Sequence, residues 1–305
     1  MSKFCYSTYG LTLMSALPLP ELLTGEGKAD INVKLDLRSK CISSQKPLPI
    51  SCVNACSNRV HLTWGGVGDL LVEEGSQITV IPIPYADEDA LRLFILGAGL
   101  GVLLHQRGLL VLHASSVGID NRGMGFIGHK GWGKSTTTAT LHQRGHALIS
   151  DELLVVRFND QGQPWVIPGS PQIRLWSDSL ASTGGNPDSA VRVRSGIDKY
   201  NLYATNIAVT ALPFHCLYLL DIGEALSIQS MPPSEAFFGI IPHLYVCRFG
   251  TRFLQSTNIT CAFQKLNLLL RKIKVKRLMR QWNLNQLPDV ARRIEQDILQ
   301  DQQLV

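Results

Sequence analysis

The chain has 305 residues, 45 % of them hydrophobic and 17 % charged, enough apolar content for one large domain or a core with an appendage. A net charge of +5 suits an anion site but is too mild to imply nucleic-acid binding, and no apolar stretch reaches the length of a membrane span. The seven cysteines form no zinc-type pairing, since Cys52 and Cys56 have three residues between them and no second pair follows. They read as reduced structural thiols. No continuous apolar segment follows Lys3, so no targeting peptide is expected, and a soluble cytoplasmic protein is.

The first part reads as strands. Asp30–Leu37 and Val60–Trp64 alternate apolar and polar residues, and Gly75–Pro82 adds a further strand after a turn. Between them Ser39–Asn58, rich in Ser, Pro and Cys and without periodicity, reads as a loop. Residues 1–86 are therefore expected as a strand-rich N-terminal region and 87–305 as the remaining core. Asp87-Glu88-Asp89 place acid in the first turn of a helix. Its apolar run Leu93–Leu104 holds three glycines, as a helix packed closely on a sheet would. Leu109–Val117 reads as one strand carrying His113, and Met124–Ile127 as a short buried strand. Ser135–His142 reads as a helix, and Arg144–Ser150 as a turn and a buried strand ending at Asp151-Glu152. Leu153–Arg157 and Gly169–Trp176 continue as strands. Ser182–Tyr200, polar and weakly patterned, reads as a mobile loop beside the substrate, where Arg194 and Lys199 could meet a transferred phosphate or simply be solvated. Val209–Asp221 returns to strand. Ser234–Tyr245 reads as a helix capped by S-E-A after Pro232-Pro233, and Leu287-Pro-Asp289 opens a last helix through Leu299. Arg271–Arg277 alternates cationic and apolar residues like a solvated edge strand, with an acidic peptide or nucleic acid as the alternative partner.

The segment Gly128-His129-Lys130-Gly131-Trp132-Gly133-Lys134-Ser135-Thr136 satisfies the phosphate-loop pattern G-x-x-x-x-G-K-[ST], and it lies between a strand and a helix as that motif requires. Glycines let backbone N–H groups approach an anion, and the helix N-terminus adds partial positive charge. Lys134 can reach β- and γ-phosphates, and the Ser135 hydroxyl can ligate Mg²⁺. All nine residues are candidates for holding ATP or a similar polyphosphate. Trp132 could stack on a base, cover the phosphates or pack outward. Asp151-Glu152 ends a strand just beyond the loop's helix, where one carboxylate can serve the metal and the other an attacking hydroxyl. A surface turn is the plainer alternative.

His113 lies 21 residues before Lys134, and Asp151 lies 17 after it. The stretches L-H-A-S-S-V (Leu112–Val117), G-H-K-G-W-G-K-S-T and R-G-H-A-L-I-S-D-E (Arg144–Glu152) resemble the core of bacterial HPr kinase/phosphorylases. The P-G-R-N signature of that family's C-terminal part is missing, so HPr is not assumed as substrate. Tyr9–Leu22, Pro168–Trp176 and Asp198–Tyr200 resemble the stand-alone HPr kinase-like proteins, among them kinases of lasso-peptide precursors. The resemblance implies an α/β (α+β) fold with an HPr kinase/phosphoenolpyruvate carboxykinase-like P-loop kinase core. It also implies His113 as the active-site histidine, Asp151 as general base and Glu152 as a metal-binding carboxylate where the family usually has aspartate. The function expected is an ATP- and Mg²⁺-dependent kinase acting on a serine hydroxyl of a peptide or small protein, without nucleic-acid or membrane partners, homo-oligomerisation being open. A non-catalytic nucleotide-binding regulator and an NTP hydrolase are the rivals.

Overall fold

A computed structural model describes residues 3–188, 190–250, 253–254 and 259–303. It is a mixed α/β molecule with three sheets, of the α+β kind. The N-terminal sheet holds β1 (Phe4–Thr8), β2 (Leu11–Ser15), β3 (Leu23–Thr24), β4 (Ile31–Leu35), β5 (Leu48–Cys56), β6 (Arg59–Gly65), β7 (Gly68–Glu73) and β8 (Gln77–Pro82), in spatial order β3-β1-β2-β4-β8-β7-β6-β5. The expected loop Ser39–Asn58 therefore contains a strand. β5 lies at the sheet's edge and is mostly exposed, so no apolar alternation marks it.

Asp87 caps α1 (Glu88–Phe94) by accepting from the N–H groups of Asp89 and Ala90. The apolar run continues through a wider π-helical stretch, Ile95–Gly99, into α2 (Leu100–Gln106). A Cβ at Gly101 would overlap the Tyr245 ring, so the absence of a side chain there admits that ring against the helix. These helices belong to one apolar core that runs from Leu13 and Leu70 of the N-terminal sheet to Leu112, Leu154 and Leu217 of the next sheet.

The second sheet takes β9 (Leu110–His113), β10 (Ser115–Ile119), β11 (Arg122–Ile127), β12 (Ala147–Ser150), β13 (Leu153–Phe158) and β14 (Pro164–Ile167), with α3 (Lys134–Gln143) between β11 and β12. After β15 (Gln172–Trp176), α4 (Ser177–Ser182), β16 (Val191–Arg192) and β17 (Lys199–Tyr203), the chain returns to this sheet with β18 (Leu212–Ile222) and β19 (Ser227–Ser230). Then α5 (Pro233–Ile240), α6 (Ile259–Leu270), the last strand β20 (Lys274–Arg280) and α7 (Leu287–Gln303) complete it. β10 and β11 form a hairpin whose two-residue turn, Asp120-Asn121, has both φ angles positive, the geometry such tight turns require. β11, β18 and β20 run parallel side by side.

Four further expectations change. Leu109–Val117 is two strands: β9 pairs with β13 while β10 pairs with β11 and β12, so the chain changes neighbours at Ala114. The polar stretch Ser182–Tyr200 contributes β16 and the start of β17, which with β15 make the third sheet; Ser189 within it lies outside the described residues. The helix expected at Ser234–Tyr245 starts at Pro233 with no side-chain cap from Ser234, and stops at Ile240 before short 3₁₀ turns. Of the expected edge strand Arg271–Arg277, Lys274–Arg277 lie in β20, an interior strand between β18 and β19.

A lysine can sit inside that sheet because α7 answers it. Lys276 Nζ lies 2.7 Å from Asp297 Oδ2 and 2.8 Å from Asp301 Oδ2, and the Tyr218 hydroxyl also donates to Asp297 at 2.8 Å. Around this ion cluster Val290, Ile294 and Ile298 pack on Phe126, Tyr218 and Leu278. Removing one member of a buried ion pair strands its partner's charge. Lys276→Ala is therefore expected to cost about 3–5 kcal/mol in urea unfolding. A Lys276→Met/Asp297→Leu double variant should recover much of that loss, and no recovery would show that the pair itself is stabilising.

Candidate functional site

The strand β11 ends at Ile127 and α3 begins at Lys134, so the glycine-rich loop spans the gap between a buried strand and a helix N-terminus. Gly131 and Gly133 take φ of 89° and 77°, left-handed values that strain residues with a Cβ. The Trp132 N–H donates to His129 O at 3.1 Å and closes the loop on itself. Lys134, almost fully buried, turns its Nζ back to Gly128 O at 2.9 Å and His129 O at 3.3 Å. Burial pulls its ammonium below the usual value, against the opposing influence of Asp151 and Glu152.

The cleft beyond this loop forms where two chain crossings meet. β9 passes to β10 at Ala114, and β12 passes to β13 at Asp151-Glu152; β9 pairs with β13 and β10 with β12. The two breaks are thus neighbours. They bring His113 and Ser115 beside Asp151 and Glu152, and the loop's helix contributes Ser135. Asp151 Oδ1 accepts from Ser115 Oγ at 2.5 Å and Ser135 Oγ at 2.9 Å, while Oδ2 accepts from the Arg174 N–H at 2.9 Å.

Glu152 has φ of 77°, left-handed for a residue with a side chain. Its Oε2 pairs with Arg174 Nη1 at 2.8 Å, and Oε1 lies 3.6 Å from Arg248 Nη1. Burial alone would raise this carboxyl. Arg174 first, then Lys199 and Arg248, outweigh burial and hold it well below the usual carboxylate range. His113 Nδ1 lies 3.2 Å from Glu152 O and 3.4 Å from Arg248 Nη1. Burial, aided by Arg248 and Lys134, pushes His113 down to about 3, so the ring is neutral near pH 7.

Of the residues singled out in the sequence, the cleft gathers Lys130, Gly131, Gly133, Lys134, Ser135 and Thr136 with His113, Asp151 and Glu152. Gly128, His129 and Trp132 are not on its wall. Gly128 is buried against Leu220, and the His129 ring packs edge-on to Trp132 at 4.6 Å and to His243 at 6.0 Å. Lys199 lines the cleft from β17, whereas Arg194 lies 5.7 Å above the Trp64 ring, in contact with the N-terminal sheet. Ser115, Arg174 and Ser179 were not assigned from the sequence. Ser115 follows His113 by two positions and Arg174 sits in P-G-S-P-Q-I-R-L-W, which is the only signal either carried. Thr136 Oγ1 reaches Ser179 Oγ at 3.2 Å, joining α3 to α4.

No protein-family model matches the chain, and no curated protein matches it significantly. Among solved structures it is weakly similar to the Hpr(Ser) kinase/phosphatase from Coxiella burnetii, with 14 % identity and a TM-score of 0.36 over 63 % of this chain and 98 % of that one. Among the described residues no helix is long and apolar enough to cross a membrane.

Two other histidines share the character of His113. Burial pushes His105 and His243 each down to about 4, so all three are neutral in the folded chain well into acid. In the unfolded chain they take up protons near pH 6.5. The unfolded state therefore binds more protons between about pH 6.5 and 4, and their contribution is complete above that window and is lost as pH falls through it. Each histidine adds at most about 1.4 kcal/mol per pH unit to that slope. Urea midpoints measured from pH 8 to pH 4 should fall steadily below pH 6.5, and His113→Asn should flatten the fall. A midpoint constant down to pH 5 would contradict the buried neutral histidines.

Proposed function

We propose that the chain is an ATP-dependent phosphotransferase that moves the γ-phosphoryl group to a hydroxyl, on a serine of a peptide or small protein. The reading rests chiefly on Asp151, whose carboxylate faces the mouth of the glycine-rich loop while hydrogen-bonded to Ser135 at the start of that loop's helix. An acceptor hydroxyl entering the cleft would meet this carboxylate. Its oxygen bonds to the γ-phosphorus, the bond from that phosphorus to the β–γ bridging oxygen breaks, the hydroxyl proton passes to Asp151, and ADP departs.

The neighbouring groups fit that division of labour. Lys134 now spends its hydrogen bonds on Gly128 O and His129 O, and phosphate oxygens would take their place. Lys130, Gly131, Gly133 and Thr136 line the path to it. Arg174 and Lys199, on the adjacent strands β15 and β17, add positive charge where the equatorial phosphoryl oxygens would carry negative charge. His113, neutral and tied to the Glu152 carbonyl, orients the turn that carries both acids.

Mg²⁺ suits the donors present. Among the described residues there is no cluster of three or more His, Cys, Asp and Glu side chains, yet this ion usually takes only one or two carboxylates, with hydroxyl, water and phosphate oxygens completing its shell. Ser135 Oγ, beside Asp151 Oδ1, would hold it from the loop, and Glu152 would do so on releasing Arg174. The ion would offset phosphate charge.

Label transfer from γ-labelled ATP to serine-containing peptides tests the proposal. Asp151→Asn is expected to reduce transfer at least about 100-fold while ATP binding persists. Undiminished transfer removes Asp151 from the base role. Free phosphate released without an acceptor would instead mark an NTP hydrolase, and ATP binding without turnover a regulator.

A further inference from the structure

Arg280 ends β20 against the glycine-rich loop, and the chemistry proposed above leaves it unused. Its side chain is nine-tenths buried, the residue being 7 % exposed. Nη2 donates to Trp132 O at 2.6 Å, and a Cβ at Gly133 would overlap that nitrogen, so the guanidinium lies directly on the backbone that precedes Lys134. Nε is buried without an acceptor. Burial lowers the guanidinium's pKa, and no carboxylate among the described residues counters it.

Three other buried or partly buried cations are answered by acids: Lys276 by Asp297 and Asp301, Arg92 by Glu21, and Arg174 by Glu152. Among the described residues neither Lys134 nor Arg280 is in an ion pair, and both rest on the carbonyls of one loop. A cation buried without a counter-ion is costly in the free protein. The cost is removed when an anion settles on the loop amides, and the planar guanidinium fork matches two phosphate oxygens.

We infer that Arg280 is a phosphate-binding residue of the loop, contacting the polyphosphate from the β20 side while Lys134 contacts it from the α3 side. The inference rests on the phosphate-binding reading of the loop given above. It assigns to Arg280 a share of the selectivity for di- and triphosphate over less charged ligands.

Calorimetric titration of the whole chain with inorganic tripolyphosphate and with ADP, alongside thermal unfolding without ligand, tests it in wild type, Arg280→Gln and Arg280→Lys. Arg280→Gln should bind both probes about 10- to 100-fold more weakly, and Arg280→Lys, keeping the charge without the fork, should fall between. The ligand-free unfolding midpoint of Arg280→Gln should stay level or rise, because an uncompensated buried charge has gone. A merely structural brace predicts the opposite, a lowered midpoint in both variants, and that result overturns the inference. Affinities within about twofold of wild type overturn it as well. If wild type binds neither probe, the phosphate-binding reading of the loop fails and this inference with it. If wild type binds and the variants bind equally, the loop reading stands and only the role of Arg280 is lost.

Discussion

The carboxylate of Asp151 joins three elements that share no backbone hydrogen bond at that point. One oxygen takes the hydroxyl of Ser115 from β10 and the hydroxyl of Ser135 from α3; the other takes the N–H of Arg174 from β15. An ionised carboxylate has about four lone-pair sites and no proton of its own, so it can anchor several donors at once where a hydroxyl or amide could not. The position of the loop's helix relative to the strands behind it follows from this junction. So does the small third sheet, whose first strand is held to the second sheet's turn by the other oxygen of the same carboxylate.

The turn that presents Asp151 is itself under constraint. Glu152 occupies a left-handed conformation, which costs a residue with a side chain of order 1–3 kcal/mol unless its surroundings impose it. Here they do. Arg174 grips its carboxylate, His113 reaches its carbonyl, and the strands on either side of the turn pair with different partners. A residue without this side chain would relax the backbone and lose the ion pair. The acid next to the reacting group thus serves the shape of the turn as well as its charge.

Much of the site was legible because its signals are local. The glycine loop lies between an apolar strand and a helix, and the acidic pair ends the next strand; both survive as read. What was illegible depends on partners far away in sequence. Lys274 and Lys276 look like the cations of an edge strand until α7 supplies Asp297 and Asp301. The strand break at Ala114 has no turn residue to announce it, since the break arises from a change of neighbours rather than from local backbone preference. Arg174 and Arg194 are alike in sequence, yet one enters the cleft and the other lies over Trp64.

The contact between Gly101 and Tyr245 reaches further than packing. The ring that occupies the space of a missing Cβ also lies under Arg248, 4.9 Å from its guanidinium, and 6.3 Å from His113. Positions 101 and 245 therefore cannot vary independently over evolutionary time. A related chain that acquires a side chain at 101 must shrink the aromatic ring at 245, and with the ring it gives up the platform that holds Arg248 beside Glu152. Correlated exchange at these two sites, one in a helix with no catalytic chemistry, would mark lineages in which the acidic turn is charged and shaped differently.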